Sequence, residues 1–345
     1  MTNIYDYIKT NNKSFKEEPI NEIDKVILSL IPYIDFTDIV NNPILLKDAI
    51  KEFIKIKDKK EFNKKALFDK DVYTMIEILN NNKRYQDIIL SDYVVKNTKE
   101  EQFSAISMRL PDKTLYIGYE GTDVLISGWK EDAELSYLYP IPAQEDALNY
   151  AKQVIKFTDY KIILGGHSKG GNLALYTAIN LPFIDRFKLK EIISVDGPGL
   201  LEDIINTKEY QRITKKYNHY IPHYSIVGQL LENTNDIVVK TNKIGIYAHS
   251  PYEWPIENNM FIRTELSSFS IKVSNNIDIW LNKHTLEERQ QVVDDIFNML
   301  ERLNIIDLHQ LKNPVNIFKI YKEIKKLDQT TKDIIKSIIG DTKWI

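Results

Sequence analysis

Cysteine is absent from this chain of 345 residues. Its absence excludes disulfides, thiolate metal sites and a cysteine nucleophile, and fits a reducing cytoplasm as the expected location. Long apolar runs are missing too: no stretch approaches the roughly 20 residues needed to span a bilayer. The first residues, MTNIYDYIKTNNKSFKEE, contain no apolar h-region and no cleavage site, so no signal peptide is expected. Charge of one sign is lacking as well. The net charge is −3 and the isoelectric point near 6.1, which gives no electrostatic reason to expect nucleic acid as a partner. There is no H-E-x-x-H, no cluster of histidines and no G-x-x-x-x-G-K-[ST]. A metal or nucleotide cofactor is therefore not expected. Glycine is sparse, at 12 residues, and there is no internal repeat, low-complexity segment or Gly/Ser-rich linker. Apolar residues make up 43%, enough for a large core.

What the chain does have is concentrated between 161 and 181, KIILGGHSKGGNLALYTAINL. Lys161 to Leu164 reads as a short buried strand. Gly166-His167-Ser168-Lys169-Gly170 fits G-x-S-x-G. Leu173, Ala174, Ala178 and Leu181 then fall at helical spacing. Strand, sharp turn and helix form the context of a nucleophile elbow. The turn strains the serine backbone, and side chains two positions either side would collide. Ser168 Oγ would then stand at the top of a sheet, at the positive end of a helix. The plain alternative is a glycine-rich connection between a strand and a helix.

Around this motif the pattern is α/β. Residues 21–31 and 44–82 read as helical, and the lysine-rich run KIKDKKEFNKK reads as a solvated face. Residues 102–120 read as a hairpin turning at Pro111-Asp112-Lys113. A helix is expected over 144–157, strands over 190–196, 223–228 and 237–241, and a helix over 200–217. Thr285 to Glu288 is a capping box opening a helix to about 303. The last 35 or so residues read as basic amphipathic helices. Strands alternating with helices predict an α/β-hydrolase-like fold: a mostly parallel sheet flanked by helices, with helical additions at both ends. One main domain over 1–300 is expected, with a C-terminal extension, 301–345, packed on it.

A serine nucleophile needs a base, an acid and an oxyanion hole. In the chain order serine, acid, histidine, the base is expected to be His249, in YAHSPYEW, with His284 as the alternative. A loop histidine packed on Trp254 is the bland reading of His249. The acid is expected to be Asp236, in ENTNDIVV. Asp196, at the end of IISVD, is nearly as well placed, and Glu232 is a third option. The oxyanion donors would be the N–H of Lys169 and the N–H and hydroxyl of Thr122, in Tyr119-Glu120-Gly121-Thr122-Asp123.

The order YEGT, GGHSKGG, DGPG, NDIV and H…W resembles the class 3, or fungal-type, lipases. It is closer still to an uncharacterised bacterial family of lipase-like α/β-hydrolases. That family begins with a DY segment and an NE.D..ILS helix, as Tyr5 to Tyr7 and Asn21 to Leu30 do here. Its DGPG, SIVG and H.P..W elements match Asp196 to Gly199, Ser225 to Gly228 and His249 to Trp254. The resemblance covers residues 4–300 or so, and it implies an ester substrate. Three features depart from the lipase pattern. Glu120 stands where the lipases carry arginine, and Lys169 where they carry leucine. Their catalytic histidine also lies beyond the H…W segment, which keeps His284 in view.

The leading reading is thus a serine esterase or lipase acting on a small-molecule or lipid ester. Residues 123–140 occupy the place of a lid, where Val124, Leu125, Ile126 and Trp129 either line an acyl pocket or belong to the core. A thioesterase or amidase would use the same triad. The competing class is a hydrolase-fold binding module without turnover. In that reading Ile317, Ile320, Ile334, Ile335, Ile338 and Trp344 of the basic C-terminal helices dock a partner or a membrane surface.

Overall fold

The computed structural model describes residues 2–56, 69–98, 101–156, 158–329 and 331–332. Eight strands form one sheet in sequence order: β1 (Ile44–Leu45), β2 (Ile89–Asn97), β3 (Gln102–Arg109), β4 (Thr114–Tyr119), β5 (Lys161–His167), β6 (Leu189–Val195), β7 (Tyr217–Pro222) and β8 (Asp236–Val239). The pairs among β1 to β4 are antiparallel, and β4 to β8 run parallel. This is the α/β-hydrolase class of fold expected, a mostly parallel sheet flanked by helices with helical additions at both ends. A minor hairpin, β9 (Ile256–Glu257) with β10 (Met260–Phe261), lies outside the sheet.

The sequential strand order has a consequence for the layers. Parallel strands joined in order by right-handed crossovers place every crossover helix on the same face. The helices Pro142–Ile155, Lys169–Asn180 and Lys208–Ile213 accordingly share one core with Leu115, Ile117, Ile162, Leu164 and Ile192. The alternate residues, Tyr116, Ile163, Ile193 and Val195, point the other way. That face is covered by the N-terminal helices Ile4–Thr10, Glu22–Leu30 and Leu46–Ile56. The N-terminal part is therefore the second face of the core. Each large apolar side chain it buries contributes on the order of 1.5–3 kcal/mol.

Local chemistry sets these helices. Asn21 caps Glu22–Leu30 in a capping box with Asp24. The Asp24 carboxylate then receives Arg84 Nε at 2.8 Å, Arg84 Nη2 at 2.6 Å and Tyr85 Oη at 2.7 Å, all buried. Arg84 spends its remaining donors on the carbonyls of Lys13, Glu18 and Pro19, so the N-terminal layer is tied at one point.

Several expectations shift. The strand expected at 223–228 lies at Tyr217–Pro222 instead, and Val227–Gln229 is a 3-10 turn. In HYSIVG the two β-branched residues, Ile226 and Val227, are adjacent, and Ser225 and Gly228 turn to Asp196. β2 and the helix Ser268–Lys283 were not expected from the sequence. Of the helical run expected at 44–82, the described residues include the two-residue strand β1 and the helices Leu46–Ile56 and Asp69–Leu79. Most of the lysine-rich run and Ile334, Ile335, Ile338 and Trp344 lie outside the described residues. Thr285 does cap its helix, Leu286–Arg302, with Glu288 closing the box. Among the described residues no helix is long and apolar enough to cross a membrane.

The segment in the lid position is a helix, Ile126–Glu134, held from two sides. Ile126 N–H donates to Ile306 O at 3.0 Å, and Leu308 N–H to Val124 O at 2.9 Å. Ile126 packs with Met299, Leu300 and Ile305 in a third cluster, which Ile320 and Ile324 border. Val124 and Ile126 are thus core residues, and Leu125 is partly exposed.

Candidate active site

Register brings the site together. Tyr119, Gly166 and Ser194 sit side by side at the ends of β4, β5 and β6. The residues just beyond them, Glu120 to Thr122, Ser168 and Asp196, therefore meet at the carboxyl edge of the parallel strands. Ligands bind at this edge in open α/β sheets.

Ser168 has φ 57° and ψ −132°. A non-glycine residue held there is strained by about 1–3 kcal/mol. The turn is close enough that a Cβ on Gly166 would meet Gly170 backbone carbon at 2.3 Å, and one on Gly170 would meet Tyr119 O at 2.2 Å. Ser168 N–H donates to Val195 O at 2.9 Å, tying the elbow to β6. The helix Lys169–Asn180 starts immediately after, so its first N–H groups, Lys169 among them, have no acceptor within the helix.

Asp196 follows β6 with φ 49°, its N–H on Tyr220 O at 2.7 Å. Its buried carboxylate holds three donors. Oδ1 accepts from Ser225 Oγ at 2.5 Å and from Gly228 N–H at 3.0 Å, while Oδ2 accepts from His249 Nδ1 at 2.6 Å. With its proton on Nδ1, the His249 ring presents Nε2 as an acceptor. Asp236, the acid preferred from sequence, is engaged elsewhere. It holds His219 Nδ1 at 2.8 Å, and His219 Nε2 holds Gly197 O at 3.0 Å. The carboxylate that meets His249 is Asp196, because β6 ends beside the elbow and β8 lies two strands further out. Glu232 pairs its backbone with Leu200. His284 caps the end of the helix Ser268–Lys283, with Nδ1 on Trp280 O at 2.8 Å and its ring against Trp280.

His249 sits at the end of a 3-10 turn, Gly245–His249. Its carbonyl is held by His167 Nε2 at 2.9 Å, and the two rings lie 4.3 Å apart. Because a carbonyl only accepts, His167 carries its proton on Nε2, and Nδ1 accepts from Tyr33 Oη at 2.8 Å. Burial pushes His167 well below the usual histidine range, which keeps it neutral. His167 and Tyr33 therefore hold the His249 backbone from the far face of the sheet. The His167 side chain thus meets His249 from behind the elbow. Trp254 Nε1 on Ala248 O supports the same turn.

The segment expected to supply oxyanion donors lies against the elbow. A Cβ on Gly121 would stand 2.5 Å from His167 O and 3.0 Å from Ser168 Cβ, so Thr122 follows one residue from the elbow. Its hydroxyl, expected to face an oxyanion, donates instead to Asp132 Oδ2 at 2.7 Å, which leaves the backbone N–H for that role. Burial raises Asp132 to about 6, against the opposing pull of Lys169 and Thr122. Burial likewise raises Glu120 to about 8. Lys169 Nζ is buried on Glu131 Oε2 at 2.6 Å and on Gln102 O at 2.8 Å. Glu131 also accepts from Gln102 N–H and Ala143 N–H, so it joins the Ile126–Glu134 helix to the elbow helix, β3 and the helix Pro142–Ile155. No sequence signal identified Glu131 or Asp132, since each is one carboxylate among many on a polar helix. Among the described residues no group of three or more histidines and carboxylates is arranged to hold a metal.

A family model, Mbeg1-like, matches residues 79–298, from before β2 to past the last candidate histidine. The chain belongs to this lipase-like family. The matched span holds every element of the site described above except Tyr33. Among solved structures the chain is similar to one titled "Crystal structure of M37 lipase", at 16% identity and a TM-score of 0.33. That likeness covers 61% of this chain and 70% of the other. No curated protein matches the sequence.

Proposed function

We propose that the protein hydrolyses carboxylic esters through an acyl-enzyme on Ser168, with His249 as base and Asp196 as acid. The observation that carries this reading is the His249 Nδ1 to Asp196 Oδ2 bond at 2.6 Å beside an elbow serine at φ 57°. Ser168 Oγ attacks the acyl carbonyl, and its proton passes to His249 Nε2. Asp196 keeps the imidazole in the accepting tautomer and stabilises the imidazolium. The N–H groups of Lys169 and Thr122 receive the oxyanion, assisted by the positive end of the elbow helix. His249 returns the proton to the leaving alcohol, and the mirror sequence with water frees the acid.

Membership of a lipase-like family supports the ester as substrate class. The place of Asp196 supports it over Asp236 as the acid, and the partners of His284 argue against that histidine as base. The test is hydrolysis of p-nitrophenyl esters from short to long acyl chains by the wild type and Ser168→Ala. Turnover that disappears in Ser168→Ala supports the assignment. Turnover that survives removes Ser168 from the reaction.

A further inference from the structure

β4, β5 and β6 end at the site and begin at a surface the site does not use. Between the elbow helix and β6 the chain makes one short helix, Phe183–Arg186. Phe183, Ile184 and Phe187 are 68%, 74% and 68% exposed there. The two phenylalanine rings pack edge to face at 4.8 Å, which makes them a fixed ridge. Single exposed apolar residues are ordinary, but three large ones projecting from one turn mark an interaction surface.

The ridge stands between two clefts. One, of about 460 Å³, is lined by Phe183 and Phe187 with Arg186, Arg212 and Lys216. The other, of about 380 Å³, is lined by Phe187 with Lys113, Lys161 and Lys190. In a chain of net charge −3, these clefts gather six cations against one carboxylate, Asp112. Asp185 faces Lys188 at 3.7 Å, and the exposed Glu209 to Arg212 pair at 3.4 Å is too solvated to hold the guanidinium from another anion.

We infer that this end of the sheet is a docking surface for an anionic lipid membrane. The apolar ridge enters the boundary between headgroups and acyl chains, and the surrounding cations meet the lipid phosphates. A second copy of this chain is disfavoured as the occupant, because a symmetric contact would set two basic clefts face to face. The charge of the whole molecule would repel an anionic surface, so the local excess orients the approach. β5 spans about 20 Å at 3.3 Å per residue, so docking leaves Ser168 at the far end of the sheet, facing water. The inference does not depend on the hydrolase reading.

Co-sedimentation of the full chain with vesicles tests it. One set is phosphatidylcholine alone, and the other is equal parts phosphatidylcholine and phosphatidylglycerol. The protein is expected to bind the mixed vesicles, not the neutral ones, and to be released by salt. Phe183→Ser with Phe187→Ser should weaken partition by about tenfold or more, as should Arg186→Glu with Arg212→Glu. Phe183, Phe187 and Arg212 are exposed and Arg186 is half-buried, so both variants should keep the fold, read by circular dichroism and a cooperative thermal transition. Hydrolysis of a soluble ester, where the wild type shows it, should also be unchanged. Absence of binding to mixed vesicles, equal binding to neutral ones, or variants that bind like the wild type would each overturn the proposal. So would self-association of the wild type that the phenylalanine variant abolishes, since the ridge would then be a protein contact.

Discussion

Replacing Lys169 by methionine removes one partner of a buried ion pair and little volume. The pair is closed, at 2.6 Å, with the lysine side chain 0% and the Glu131 side chain 1% exposed. The glutamate would keep two backbone donors, Gln102 N–H and Ala143 N–H, but no counter-charge. Leaving one member of such a pair unmatched costs about 3–5 kcal/mol. Glu131→Leu strands the ammonium and also both backbone N–H groups, each adding about 1–3 kcal/mol. The double variant Lys169→Met with Glu131→Gln has no charge to bury. Its amide can donate to Gln102 O and accept from one N–H, so its cost should fall below the sum of Lys169→Met and Glu131→Gln by about 2–3 kcal/mol. The assay is urea unfolding of the wild type, the single variants and the double variant. Fluorescence and circular dichroism should be followed together, to establish that one transition is being measured. A Lys169→Met cost below about 1 kcal/mol, or costs that add across the cycle, would refute the reasoning that this pair clamps the elbow helix.

Three further outcomes follow from the site. Asp196→Asn should lower kcat by about 10⁴, because the amide no longer fixes the His249 tautomer, while Asp236→Asn should leave kcat within about tenfold of wild type; esterase kinetics on both variants check this, and equal losses would count against Asp196. The native state binds the Glu120 proton more tightly than the unfolded chain does, its pKa rising from 4.5 to about 8. The wild type should therefore lose stability relative to Glu120→Gln as pH rises through that window, by a few kcal/mol at most, and level off above it. Unfolding midpoints of both proteins across pH read this directly, and a constant difference would contradict it. The segment Ile126–Glu134 is pinned by Glu131, Ile306 and Leu308, so the rate should show no jump as an ester substrate passes its solubility limit. Such a jump would mean that the segment opens.

The local structure was legible in the sequence where geometry demands particular residues. Gly166, Gly170 and Ser168 declare an elbow because little else tolerates that turn. Thr285 declares a helix start because its side chain meets a specific N–H group. The hairpin at Pro111 to Lys113 declares itself by period, and the strand of the elbow by its short apolar run. Choosing between Asp196 and Asp236 was beyond local pattern, since both lie at a strand end and both meet a histidine. What separates them is that β6 neighbours β5 and β8 does not, a fact of strand order. The strand placed at 223–228 failed for a related reason: Ser225 and Gly228 serve the Asp196 carboxylate, and a loop committed to a side chain cannot also pair in a sheet. The N-terminal helices could be read as helices. That they form the second face of the core follows from the sequential order of β4 to β8, which leaves that face without crossover helices. Tyr33 and His167 were missed because their partners are remote in the chain: the His249 carbonyl is 82 residues beyond His167, and His167 is 134 residues beyond Tyr33.

The most direct test of the central claim is covalent labelling with a fluorophosphonate, followed by mass spectrometry of the labelled peptide. A hydroxyl made nucleophilic by His249 and Asp196 predicts a single adduct on Ser168, lost in Ser168→Ala and strongly slowed in His249→Ala and Asp196→Asn. An unlabelled wild type, or an adduct on another residue, would contradict it and favour a hydrolase-fold binding protein without turnover.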